Sequence, residues 1–214
     1  YGIFDAGDSY YITTERAFKN MSYQNLTPKR GVYSPVVNID GKALIGSRIE
    51  SALSVYNDLR ILPMETVVAN KGTGVVTCVP SNSPDDFMTT KDLKNKASFY
   101  GIDASWVKDE ILPIIRTEKY GDITAEAVCK EKKIQSPRDT NLLAEAKKLA
   151  YKEDYYSGTM IHGKYKGMKV PEAKARFRDD IIASGEAFIY NEPEGQVISR
   201  SGDECIVSLE DQWY

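Results

Sequence analysis

The stretch of the chain with the most chemical possibility is Gly72-Thr73-Gly74-Val75-Val76-Thr77-Cys78-Val79-Pro80-Ser81-Asn82-Ser83-Pro84-Asp85-Asp86. Glycines on both sides of Thr73 let a ligand or another backbone approach closely. A β-branched run follows, then a loop of small polar residues that delivers two carboxylates. Loops fixed by a rigid element are common places for binding and catalytic groups. The Gly-Thr-Gly unit does not fit the phosphate-cradling pattern G-x-x-x-x-G-K-[ST]. Spacing alone leaves a simpler reading open, a hairpin turn followed by a helix cap. Other chemistry is poorly supplied. The single histidine, His162, lies in Met160-Ile161-His162-Gly163-Lys164 and reads as a packing or surface residue at a strand end. Cys78, Cys129 and Cys205 are far apart and odd in number, with no metal-ligand spacing. A Cys/His zinc site and a Ser-His-Asp triad are therefore poor fits, and the cysteines point to a reducing compartment.

The elements that must position this stretch can be read from pattern. Tyr10 to Thr13 is strand-like, and Thr14 caps a helix running to about Lys19. Val32 to Asn38 and Lys42 to Gly46 flank Asp40-Gly41, a hairpin signal. Arg60 to Ala69 and Thr73 to Val79 form a second expected hairpin, turning at Asn70-Lys71-Gly72. Within it, Val75 to Val79 is expected to be a central buried strand. Pro80 to Pro84 is a loop, and Asp85 and Asp86 open a helix through about Asn95, where acidic residues meet the positive end of the dipole. Residues 97–185 are helix-rich and charged. Helices are expected over Thr124 to Lys133, over Pro137 to about Lys152 with Leu142, Leu143, Ala146, Leu149 and Ala150 on one face, and over Pro171 to Ser184. Strands are expected again at Ala187 to Tyr190, Gln196 to Ser199 and Glu204 to Leu209. The class is mixed α/β (α+β), one domain over residues 1–214. Its β-rich core comes from 1–96 and 186–214, interrupted by a helical insertion at 97–185.

Net charge is −3 over 214 residues. Binding to nucleic acid by bulk attraction calls for a basic chain, so any RNA contact must be local or shared with a larger parent. Lys164, Lys166, Lys169, Lys174, Arg176 and Arg178 form a basic run that fits either an RNA backbone or a solvated helix face. Tyr10-Tyr11 and Tyr155-Tyr156 fit either stacking on bases or ordinary packing. No apolar run is long enough to cross a bilayer. The chain starts without Met and stops soon after a strand-like run, so both ends read as cut from something longer.

Two segments together resemble a known family. Gly72 through Asp86 looks like the editing-site motif of the class I aminoacyl-tRNA synthetases for leucine, isoleucine and valine: Gly-Thr-Gly, a hydrophobic run, a Pro, a short loop and an Asp. Ser199-Arg200-Ser201-Gly202-Asp203-Glu204-Cys205-Ile206-Val207 through Asp211-Gln212-Trp213-Tyr214 looks like the point where the inserted editing domain rejoins the synthetase body. Val79-Pro80-Ser81-Asn82-Ser83-Pro84-Asp85-Asp86 resembles the eukaryotic leucyl enzymes, whereas valyl and bacterial leucyl enzymes usually place His-Asp in this loop. Lys132 to Ser136, and Gly185-Glu186-Ala187 through Glu194, also resemble the eukaryotic leucyl type. Asn20 to Gln24 looks fungal.

The resemblance implies a barrel-like editing core and a cytoplasmic hydrolase. Its substrate is leucine tRNA carrying isoleucine, methionine or norvaline on its 3′-terminal adenosine. Binding separates such side chains by only about 1–3 kcal/mol, so a second site must hydrolyse the wrong ester. In the family, the Asp matching Asp86 holds the substrate α-ammonium, residues matching Gly72, Thr73, Gly74, Thr77 and Val79 line the pocket, and those matching Ser81 and Asn82 lie on its loop. Asp85 is assigned either to substrate or to the helix cap. No metal or cofactor is implied for this domain; ATP and Mg serve the parent enzyme elsewhere. The remaining implied partners are the rest of the synthetase and benzoxaborole–adenosine adducts, with the protein acting as a monomer away from membranes. There is one departure. A threonine-rich pocket wall followed by Arg-Pro belongs shortly before residues like Tyr1 to Ser9; Thr13-Thr14-Glu15-Arg16 lacks the Pro and reads as a different segment. Two alternatives therefore stay open, a non-catalytic fragment that positions tRNA or docks partners, and an isoleucyl- or valyl-type editing domain.

Overall fold

The computed structural model describes residues 1–52 and 54–212. Trp213 and Tyr214, the last two residues of the second resembling segment, lie outside the described residues, as does Leu53. The chain forms two compact units, Tyr1–Ile45 with Pro63–Val76 and Phe188–Tyr214, and Gly46–Leu62 with Thr77–Ala187.

In the first unit, β1 (Gly2–Asp5) lies antiparallel between β2 (Tyr10–Thr13) and β3 (Val37–Asn38), with Gly2 opposite Thr13 on one side and Asn38 on the other. Alternation puts Gly2 and Phe4 inward and leaves Asp5 exposed. The following helix, α1 (Glu15–Ser22), starts where expected because the Thr14 side chain accepts the Ala17 N–H at 3.3 Å. Its buried face, Ala17, Phe18 and Met21, packs on Phe4. The Phe4 and Phe18 rings stack at 4.4 Å between centroids, a separation at the favourable end for aromatic pairs.

Several expected strands are not formed, and at some of these positions the backbone finds side-chain partners instead. The hairpin around Asp40-Gly41 is replaced by a single turn of 3-10 helix over Gly41–Leu44, because the Asp40 carboxylate accepts the Lys42 N–H at 3.0 Å. Near the C-terminus, Asn20 Oδ1 accepts the Val207 N–H at 3.2 Å, and Gln24 both accepts the Asn191 N–H and donates to its carbonyl. The three strands expected after residue 187 are thereby reduced to an isolated bridge between Ile198 and Glu204.

The second unit holds two short antiparallel pairs, β4 (Arg48–Ile49) with β5 (Leu59–Arg60) and β6 (Ile115–Arg116) with β7 (Thr159–Met160). Most of its mass is helical: α2 (Pro84–Asn95), α3 (Ala97–Tyr100), α4 (Thr124–Glu131), α5 (Thr140–Ser157) and α6 (Val170–Ala183). Met88 of α2, Val128 and Cys129 of α4, Ile134, and Leu143, Ala146 and Ala150 of α5 make one core. Alanines at the crossing let the helices approach closely. Because β5 pairs with β4, the second expected hairpin is also absent. Val75 and Val76 are 46% and 65% exposed, so the central buried strand expected over Val75 to Val79 is not there. Thr73 Oγ1 engages both the carbonyl and the N–H of Val75, and the Val79 N–H is taken by a side chain.

The expected mixed α/β class is the one observed, built, among the described residues, from small sheets and six α-helices. Leu143→Ala is expected to cost about 2–5 kcal/mol, because the side chain is 1% exposed, whereas Leu142→Ala at 39% exposure stays below about 1 kcal/mol. Urea unfolding of the two variants checks this, and equal losses would contradict the packing described.

Candidate functional site

The Gly72-Thr73-Gly74 turn belongs to the first unit, where three other segments hold its backbone. The Thr73 carbonyl accepts the Thr13 hydroxyl at 2.8 Å and the Thr14 N–H at 3.1 Å. The Tyr1 hydroxyl donates to the Gly74 carbonyl at 2.8 Å. Gly74 has φ +76°, and a Cβ there would lie 2.7 Å from Thr14 Cγ2, so the position requires glycine on two counts. The Gly72 N–H donates to both oxygens of Glu192, at 2.8 and 3.0 Å. Glu192 also accepts from Arg16 at 2.8 Å and from the Tyr190 hydroxyl at 3.2 Å, while Arg16 Nε donates to Glu204 at 2.7 Å. Burial alone would push the Glu192 carboxyl up. The Gly72 N–H, the Arg16 guanidinium and the Tyr190 hydroxyl outweigh it and hold the group below its ordinary range. Burial, with Glu192 beside it, pushes the Tyr190 hydroxyl well up, so it stays a donor.

Thr77 through Asp86 belong to the second unit. Ser83 is the N-cap of α2, its hydroxyl accepting the Asp86 N–H at 3.4 Å, and Pro84 takes the first helical position, where no N–H is needed. Asp86 is thus the third helical residue. Its Oδ2 accepts the Val79 N–H at 2.7 Å, which folds the loop back onto the helix start. A helix N-terminus favours a carboxylate, yet the Asp86 carboxyl is raised: burial dominates, and the bonds from Val79 and Ser83 offset it only in part. Asp85 instead pairs with Lys147 of α5 at 3.1 Å and ties α2 to that helix.

Ser81 and Asn82 are 3% and 6% exposed. The Ser81 hydroxyl donates to Asn82 Oδ1 at 2.6 Å, and the Ser81 carbonyl accepts the Ala125 N–H at 3.1 Å. Asn82 Nδ2 donates to Asp154 at 2.8 Å, and Thr124 Oγ1 donates to the other oxygen of Asp154 at 2.6 Å. Both loop side chains are therefore engaged in holding the loop on α4 and α5. Thr77 is exposed and Val79 half-buried. Burial, reinforced by Asp86, lifts the Cys78 thiol to about 12, so it is neutral at physiological pH and supplies no thiolate. His162 follows β7 and is half-buried. Among the described residues, no group of three or more His, Cys, Asp or Glu is placed to hold a metal ion, and no helix is long and apolar enough to cross a membrane.

What this half offers is a partly dehydrated carboxylate at a fixed position. Such a group gains most from a cation that brings its own N–H donors, and an ammonium is the simplest.

No protein-family profile matches the chain. It is 72% identical over 214 residues to the cytoplasmic leucine–tRNA ligase of Saccharomyces cerevisiae, covering 100% of this chain and 20% of that protein. It is 45% identical over 218 residues to the cytoplasmic enzyme of Arabidopsis thaliana, covering 100% and 20%. The chain thus spans about a fifth of the length of the curated relatives it matches. Among solved structures it matches GlLeuRS-CP1 with a TM-score of 0.82 at 31% identity, covering 90% of this chain and 71% of that one. It belongs to the leucyl-tRNA synthetase editing domains. A second such domain, from the cytosolic leucyl-tRNA synthetase of P. knowlesi, matches with a TM-score of 0.78 at 33% identity, covering 86% and 66%. Membership of the leucyl editing domains disposes of the isoleucyl or valyl alternative.

Four groups that fix the motif of this editing domain were not legible from spacing. Thr13 and Thr14 stand 60 and 59 residues before the turn they hold, Glu192 stands 120 residues after it, and Asp154 lies 72 residues beyond Asn82. The signal that could have found Glu192 was its place in the resembling stretch that runs to Glu194. Glu192→Gln keeps an acceptor but removes the charge that faces Arg16, and is expected to cost about 1.5–3 kcal/mol at neutral pH. The folded-state carboxyl lies below its unfolded value, so its contribution is complete above the ordinary carboxylate range and is lost as pH falls through the depressed value. Urea titrations of wild type and variant should therefore converge in acid, and a gap independent of pH would contradict the assignment.

Proposed function

We propose that this domain hydrolyses the ester of mischarged leucine tRNA within a cytoplasmic leucyl-tRNA synthetase, and that Asp86 anchors the α-ammonium of the wrong amino acid. The observation that carries the reading is the state of Asp86. It is held by the Val79 N–H at a helix start, and its carboxyl is desolvated. A carboxylate has acceptor capacity beyond one backbone N–H, and a bound ammonium replaces the hydration that burial removed. Asp86 then acts as an anchor and not as a nucleophile.

With the ammonium fixed, the ester carbonyl is set in register and a held water attacks its carbon. The bond from that carbon to the ribose oxygen of the terminal adenosine breaks, the water's proton passes to that oxygen, and free amino acid and intact tRNA leave. Aminoacyl esters are already reactive, so positioning supplies much of the acceleration. Thr77 and Val79, in the same unit as Asp86, border the amino-acid end in this reading. Ser81 and Asn82 act from behind, by fixing the loop. Asp85 serves α2 and α5 through Lys147. Isoleucyl, methionyl and norvalyl esters are the substrates, and no cofactor is used at this site.

The test is Asp86→Asn in the full-length parent enzyme. Loss of one charge-assisted bond of about 1.5–3 kcal/mol lowers isoleucyl-tRNA hydrolysis roughly 10- to 100-fold. The raised carboxyl means that ionisation opposes folding above the folded-state value and does not do so below the unfolded value. Asp86→Asn should therefore also stabilise the domain at neutral pH by about 0.5–1 kcal/mol. Undiminished hydrolysis in the variant would overturn the anchoring role. Retained tRNA affinity with no hydrolysis by the unmodified enzyme would favour a purely tRNA-positioning domain.

A further inference from the structure

Half of the basic run at 164–178 is neutralised within the fold. Lys164 pairs with Asp180 at 2.5 Å, Arg176 with Glu172 at 2.8 Å and Arg178 with Asp179 at 2.8 Å. Lys166, Lys169 and Lys174 of that run have no carboxylate partner among the described residues, and neither do Lys148 and Lys152 on the outer face of α5. Lys148, Tyr151, Lys152 and Tyr155 follow the spacing i, i+3, i+4, i+7, which puts them along one side of a helix. All four are exposed, with the tyrosines at 46% and 40%. Lys174, from α6, lies 5.8 Å from the Tyr155 ring centroid and adds a third cation to the stripe.

Most acidic groups on and beside α5 are already engaged or buried, and Glu153 is half-buried. Asp85 is paired with Lys147 at 3.1 Å, Glu145 with Lys132 at 3.4 Å, and Asp154 is closed off by Asn82 and Thr124. A chain of net charge −3 thus carries on this helical face a local group of cations interleaved with flat rings.

We infer that this α5 stripe is a docking surface for RNA, with Lys148, Lys152 and Lys174 on backbone phosphates and Tyr151 and Tyr155 against sugar or unstacked base. Residues four apart rise about 6 Å along the helix, so both cations and both rings repeat on the scale of one turn. Phosphates need the cations, and exposed rings supply stacking that is tolerant of sequence. The stripe lacks the aliphatic residues that would enter a lipid surface. The inference rests on the editing function proposed above, which makes the RNA the body of the tRNA whose 3′ end reaches Asp86.

The experiment uses the full-length parent enzyme and an uncharged transcript of leucine tRNA. For Lys148→Glu/Lys152→Glu, affinity at physiological salt falls about tenfold. The slope of log affinity against log salt shrinks by about 1.4–1.8, the value for two lost phosphate contacts. Tyr151→Ala/Tyr155→Ala weakens binding and leaves the salt slope in place. In deacylation, the lysine variant raises KM for isoleucyl-tRNA with kcat retained, a split that damage to the fold would not produce. Unchanged affinity and slope in the lysine variant overturn the surface. The two readings fail separately: an unmodified enzyme that does not deacylate removes the proposed editing activity, while the binding titration still decides the stripe.

Discussion

One buried carboxylate fixes the loop that leads into Asp86. Asp154 sits inside α5 and takes one hydrogen bond from the Asn82 amide and one from the Thr124 hydroxyl. Three elements meet at that point: the loop before α2, the start of α4, and the last turns of α5. A buried acid without partners would be costly, and removing either donor would expose that cost. The network thus works as a register lock. Only one placement of Ser81-Asn82 satisfies it, and that placement determines where Ser83 caps α2 and where Asp86 stands.

The two acidic centres of the motif are tuned in opposite directions by the same physical terms. Glu192 and Asp86 are both removed from water in part, and both accept a backbone N–H from the motif. Glu192 has Arg16 at hydrogen-bond distance, so its charge is matched within the protein and the residue stabilises the turn. Lys147 acts on Asp86 more weakly than burial, the Val79 and Ser83 bonds and Asp85, and it is itself paired with Asp85. The contrast is one of pairing: the Glu192 charge is matched inside its own unit, whereas burial governs Asp86.

The sequence was most informative where local chemistry decides local structure. Thr14 as a cap, the acidic pair Asp85-Asp86 in a first helical turn, and the Leu143, Ala146 and Ala150 spacing each marked a helix without help from afar. Strands were harder, because their partners are remote and side chains compete for the same backbone groups. Val75 and Val79 have strong β preference, yet Thr73 and Asp86 took the N–H groups a ladder would need. Asp40-Gly41 carried a genuine turn signal, and the turn formed as a 3-10 helix because the Asp side chain bonded two residues ahead. In the candidate site, the place of Asp86 in a first helical turn was legible from the acidic pair. The direction of its charge tuning was not, because burial is a property of the packed structure.

The unpaired valine run has a consequence for how the chain behaves before it is folded. Val75-Val76-Thr77-Cys78-Val79 is β-branched, uncharged and partly open to solvent, which are the features of a segment that stacks with copies of itself. Fibril-forming zippers need six or seven such residues in register. Here Gly74 interrupts the run on one side and Pro80 on the other, leaving five. The residues that shape the motif in the native state thus also act as gatekeepers against misassembly.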